Sequence, residues 1–270
     1  MSGSLNAALA VARLTGLLLL RRRRILFVGL LVLLPALLPV VVAGLRGPHQ
    51  EGAQGLELFA VLAEFGYLGT LVPLAAILLG TALMGDDLEG GTSTYLLTRS
   101  APRSAIVLGK AAAYSVVMAA TFLPALVLTL ASAVVTAPPG VDPGDAVRLF
   151  LQTAGVVWAG SVVYGALCGL LGTATQRPVI YSTVFVFGWE PLTRIVPGYV
   201  DFLTVKKHLL ALWPAVTMGD AIGGTEITRR VIDVGVGEAT VVLVLLTLAF
   251  LGLTTLTLRT KAFVGGQTLG

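Results

Sequence analysis

The sequence predicts an all-α integral membrane protein with six transmembrane helices and both termini in the cytoplasm. Three observations point there. Of the 270 residues, 56% are hydrophobic and 12% charged, and the mean hydropathy is +0.92, a balance suited to lipid and not to water. Six apolar runs reach the roughly 20 residues a helix needs to cross a hydrocarbon core about 30 Å thick. The runs are continuous and do not alternate, which favours helices over barrel strands. The whole chain, 1–270, reads as one transmembrane domain.

Residues 4–20 are apolar apart from Ser4, Asn6, Arg13 and Thr15 and run into Arg21, Arg22, Arg23 and Arg24. The spacing predicts a helix along the inner membrane surface, with the arginines on anionic lipid headgroups; a longer first helix with a basic flank is the other reading. The first span is placed at Ile25 to Leu45. Val41-Val42-Ala43 before Gly44 weakly resembles a signal-peptide cleavage site, but the preceding apolar run is too long, so the segment reads as a retained helix. The remaining spans are Leu58 to Met84, Ile106 to Thr136, Val147 to Gly172, Pro178 to Val196 and Ala239 to Leu258. Pro35, Pro39, Pro73 and Pro124 fall inside spans, where neighbouring helices can accept the freed backbone groups. The third run is longer than a membrane requires, which predicts tilt or an extension into water.

The fourth span carries Gly155, Ala159, Gly165, Cys168, Gly169 and Thr173, including G-x-x-x-G at Gly165 and Gly169. Such residues permit close helix approach, and packing within one chain is favoured over packing across a dimer. The lone Cys168 forms no internal disulfide and says nothing of redox compartment. Between the fifth and sixth spans, residues 197–238 are too long for a turn. Phe202, Val205, Leu209 and Leu212 recur at helical spacing opposite Lys206 and Lys207, with Trp213 at the end. That pattern predicts a small helix lying in the outer interface.

Orientation follows from the basic residues. With both termini inside, inner segments hold Arg13, Arg21 to Arg24, Arg99, Arg103, Lys110, Arg177, Arg259 and Lys261, 11 of the 18 lysines and arginines. The net charge of +4 therefore reads as topology and lipid contact, and nucleic acid is not an expected partner.

Whole classes of chemistry drop out. The Gly109-Lys110 pair is followed by Ala111, so no phosphate-cradling G-x-x-x-x-G-K-[ST] exists, and the chain should not hydrolyse ATP alone. His49 and His208 lie far apart without H-E-x-x-H, and there is no G-x-S-x-G elbow. No catalytic residues, metal or resident cofactor are expected. Ionisable groups in spans are the usual functional candidates because burying them costs several kcal/mol. Glu64 lies early in the second span, and Glu190 and Arg194 late in the fifth at an i, i+4 spacing that permits an ion pair. With Trp189 they are the candidates for a substrate path or gate; a structural ion pair near the outer interface is the competing reading. No chain of such groups suited to proton relay is present.

The inner interruption, 85–105, is where the protein meets something soluble. Gly90-Gly91 should end the second span near Asp86, since two glycines cost about 2 kcal/mol against alanines in a helix. Thr92 suits an N-cap for a short helix through Ser93, Thr94, Tyr95, Leu96, Leu97 and Thr98. Arg99 would complement its C-terminal dipole, and Pro102 bars simple continuation into the third span. Tyr95, Leu96 and Leu97 then present an apolar surface to a partner.

These residues resemble a known pattern. Glu89-Gly90-Gly91-Thr92, then Tyr95-Leu96-Leu97-Thr98-Arg99, Arg103 and Leu108-Gly109-Lys110, are similar to the E-x-G-T…LL-[ST]-R-P…R…GK signature of permease subunits of ABC transporters, type-2 export family, with Ser100 at the usual proline. Trp189-Glu190 and the later stretch Thr204 to Leu210 resemble a second, weaker feature of these permeases. The resemblance implies that the loop is a coupling helix docking on a separate ATPase, with Asp87, Glu89, Gly91, Thr92, Tyr95, Leu96, Leu97, Arg99 and Arg103 as coupling residues. It further implies two ATPase subunits holding ATP and magnesium, and a second permease, either a copy or a paralogue. It places the chain in a prokaryotic inner membrane, working by alternating access as an exporter, with small outer helices capping the path. The alternative is a six-helix secondary transporter or channel that needs no ATPase.

Overall fold

The computed structural model describes residues 2–21, 23–45, 55–89, 102–136, 142–189, 204–213 and 234–264. Among them the chain is almost entirely helical, without strands. Helix α1 is Ser2–Arg21 and α2 is Arg23–Leu45. Helix α3 covers residues 55–89, α4 is Arg103–Val135, α5 is Pro143–Ala174 and α6 is Pro178–Trp189. Helix α7 is Val205–Ala211 and α8 is Val236–Val264. Five of these, α2, α3, α4, α5 and α8, are long and apolar enough to cross a membrane. The expected fifth span is described only as far as the 12 residues of α6, with 190–196 outside the described residues, so five of the six expected spans stand.

The prolines leave visible marks. Pro35 begins a 3-10 turn, Leu34–Leu37, inside α2. Pro73 lies between two π-helical stretches of α3, Leu62–Leu71 and Ala76–Gly80. A proline has no N–H to donate and its ring crowds the carbonyl four residues back; widening the helix upstream relieves both conflicts. The end of α4 exceeds a membrane span as expected: 33 residues are about 50 Å long.

The third, fourth and fifth helices form the core. Helix α3 is the most enclosed span and α8 the least, its apolar surface mostly uncovered by the rest of the chain. Tyr67 joins three helices: its hydroxyl donates to the Val32 carbonyl of α2 at 3.1 Å and lies 2.8 Å from Thr129 Oγ1 of α4. Its ring meets Phe122 edge-on, with centroids 6.2 Å apart. Trp158 Nε1 of α5 donates to Ser115 Oγ of α4 at 3.0 Å, and Thr173 and Thr257 pair their hydroxyls at 3.0 Å across α5 and α8.

Small residues of α5 pack within the chain, as expected. A Cβ placed on Gly172 would lie 2.7 Å from the Thr81 carbonyl oxygen of α3, and one on Gly80 would lie 3.0 Å from Cys168 Cβ. The ring of Tyr114 from α4 covers Gly165. Glycine at these positions lets α3 and α5 approach backbone to backbone and leaves room on α5 for the Tyr114 ring of α4.

Candidate functional site

The stems of the inner loop are well formed. Helix α3 continues to Glu89, three residues past the expected end at Asp86, so Asp87 and Glu89 fall in its last turns. Pro102 is extended (φ −63°, ψ 136°), and its carbonyl accepts from Ala105 N at 2.9 Å, so α4 starts afresh at Arg103. This is the break that proline demands. Gly91, Thr92, Tyr95, Leu96, Leu97 and Arg99 lie outside the described residues, as does the short helix expected there. Gly109 and Lys110, which close the expected signature, lie among the described residues. Lys110 is buried, 6% exposed, and its Nζ donates to the Leu83 carbonyl oxygen of α3 at 2.7 Å. Helix α1, expected at the inner surface, packs against α4 beside Gly109.

The membrane candidates separate. Glu64 is buried in the first π-helical stretch of α3, Trp189 is 43% exposed at the end of α6, and Glu190 and Arg194 lie outside the described residues. What meets the Glu64 turn is the small helix α7. A Cβ on Gly69 would lie 3.2 Å from the Glu64 carbonyl oxygen and 3.3 Å from Lys206 Nζ, so the lysine reaches the widened turn of α3.

Helix α7 corrects an expectation. The sequence pattern predicts a helix lying in the outer interface, yet Val205, His208 and Leu209 are buried and the helix packs on α5 and α8. Leu209 Cδ1 sits 3.0 Å from where a Gly160 Cβ would be, with Val72 Cγ1 at 3.5 Å. Gly160 and Val72 lie near the midpoints of α5 and α3, so α7 inserts into the bundle. The signal was in the sequence: Gly69 and Gly160 offer the room, and Lys206 has a long stem that can reach a buried partner.

A cavity of about 20 Å³ lies between α3, α4, α5 and α8, lined by Met84, Tyr114, Gly165, Gly169, Thr247 and Thr254 among others. It has the size of about one water. No group of three or more histidine, cysteine or acidic residues able to hold a metal occurs among the described residues.

A sequence-family model described as ABC-2 family transporter protein matches residues 17–188. The chain belongs to the ABC-2 transporter family. The match runs from the end of α1 through α6 and contains the inner loop whole, while α7 and α8 follow it. No curated protein matches the chain closely enough to add to this. As an ABC-2 permease it is a multi-pass membrane component of an ABC transporter. Such permeases work with ABC ATPase subunits and are generally not catalytic themselves.

Proposed function

We propose that this ABC-2 permease is the translocating subunit of an exporter driven by two separate ATPase subunits. Family membership carries the reading; the stems of the inner loop, ending at Glu89 and restarting at Arg103, support it. In this reading Tyr95, Leu96 and Leu97 form the apolar face of a coupling helix that seats on the ATPase. Asp87, Glu89, Gly91, Thr92, Arg99 and Arg103 shape or flank it. ATP and magnesium belong to the partner.

The permease acts as a pair, with a second copy or a paralogue, in a prokaryotic cytoplasmic membrane. ATP-driven closure of the ATPase dimer pushes the coupling helices, and α3 and α4 carry the movement into the membrane, alternating access between its two sides. Glu64, Trp189, Glu190 and Arg194 are assigned to the path or its gate, and α7 closes the outer half.

The test is Leu96→Asp, which places a charge in the docking face. ATPase co-purification should be lost while membrane insertion stays intact; normal co-purification contradicts the docking assignment. A chain that moves ions or solutes alone in liposomes, with dependence on Glu64 or Glu190, would support the secondary-transporter alternative.

A further inference from the structure

The Gly109-Lys110 pair sits at the foot of the inner loop and engages a different helix with each residue. A Cβ on Gly109 would lie 2.5 Å from the Ala8 carbonyl oxygen and 3.1 Å from Val11 Cβ, so only glycine lets the α1 backbone lie directly on α4. Lys110 faces the other way. Only about 10 Å along α4 from Arg103, a lysine would ordinarily extend its ammonium group into water. Here it is buried and donates to the Leu83 carbonyl oxygen of α3 at 2.7 Å. A hydrogen bond from a charged donor is roughly twice as strong as a neutral one, and a low-dielectric site strengthens it further.

The tie is placed symmetrically. Leu83 is six residues before Glu89, the last residue of α3, and Lys110 is seven residues after Arg103, the first of α4. At the same level α3 is seated on α5, with Thr81 against Gly172. Stems joined at this height resist being spread by a load applied to the loop.

We infer that Lys110 is a positioning residue for coupling. It clamps α3 to α4, with α1 held against the other face at Gly109, so that thrust on the loop moves the three helices as one body. This rests on the ATPase-docking reading of the loop.

The experiment uses the permease–ATPase complex in nanodiscs. A Cys168→Ser background carries Val135→Cys, at the exposed outer end of α4, labelled with an environment-sensitive fluorophore. ATP with vanadate should shift the emission of this parent. In Lys110→Met the ATPase should co-purify at parental stoichiometry, the shift should fall about fivefold, and amide exchange across 81–89 should accelerate. Lys110→Arg, which keeps a charged donor, should restore both. A full shift with parental exchange in Lys110→Met overturns the clamp. If that variant fails to fold, Lys110→Gln replaces it, and a folded, fully coupled Gln variant with parental exchange overturns the clamp equally. A parent that retains no ATPase overturns the docking reading instead, and accelerated or unchanged exchange in Lys110→Met alone then decides whether the tie holds the stems.

Discussion

Gly165→Ala probes how the centre of the bundle is built. The added methyl would lie 2.6 Å from Tyr114 Cζ and 2.9 Å from Cδ1, and nearer still to Cε1. Carbon atoms rest about 3.5–4.0 Å apart, so the ring must retreat by well over 1 Å at its nearest atom. Tyr114 is 3% exposed and has little room to do so. Overpacking of this kind costs about 1–3 kcal/mol. Gly169→Ala, one turn along the same G-x-x-x-G, meets only the Gly80 carbonyl oxygen at 3.9 Å, an ordinary contact. Both variants gain about 1 kcal/mol of helix propensity, so the difference between them isolates the ring clash. Equilibrium unfolding in mixed micelles should show Gly165→Ala less stable than Gly169→Ala by about 1–3 kcal/mol. Tyr114→Leu in the same chain should shrink that gap, because the two sites touch. Equal effects at both glycines would refute the reasoning.

Other perturbations have defined outcomes. Tyr67→Phe removes the bonds to Val32 and Thr129 and should destabilise by about 1 kcal/mol, at about 0.6 per intramembrane hydrogen bond, measured by the same unfolding. Gly160→Val fills the site of Leu209 and should dislodge α7, read as faster modification of a cysteine at Val205→Cys, a buried position of the same helix that leaves Leu209 in place; an unchanged rate would argue against the insertion of α7. Gly172→Ala sets a methyl against the Thr81 backbone carbonyl at 2.7 Å, which no side-chain rotation relieves, and should lower the melting temperature more than Gly169→Ala does.

The spans were legible because a membrane demands long apolar runs, and five of them appear within a few residues of their expected ends. Close helix approach at the G-x-x-x-G face was legible for the same kind of reason, glycine having few other uses in mid-helix; that the partners lie in the same chain was only the favoured reading, and the contacts of Gly165 with Tyr114 and of Gly172 with Thr81 supply it. The depth of α7 was misjudged because Lys206 and Lys207 read as water-facing, whereas a long lysine stem can carry its charge to a buried turn such as that at Gly69. Lys110 was hidden by its own position: a basic residue near the inner membrane surface looks like topology until its partner, the Leu83 carbonyl, is seen on another helix. The inner loop was legible as a motif, from Glu89 to Lys110, although its apolar face lies outside the described residues.

The central claim is that this ABC-2 permease is driven through its inner loop by a separate ATPase. Purification of the chain from its native host in mild detergent, with mass spectrometry and an ATPase assay on the eluate, tests it most directly. The account predicts a stoichiometric ATPase whose retention requires Tyr95 to Arg99; a chain that purifies alone and transports without ATP would contradict it.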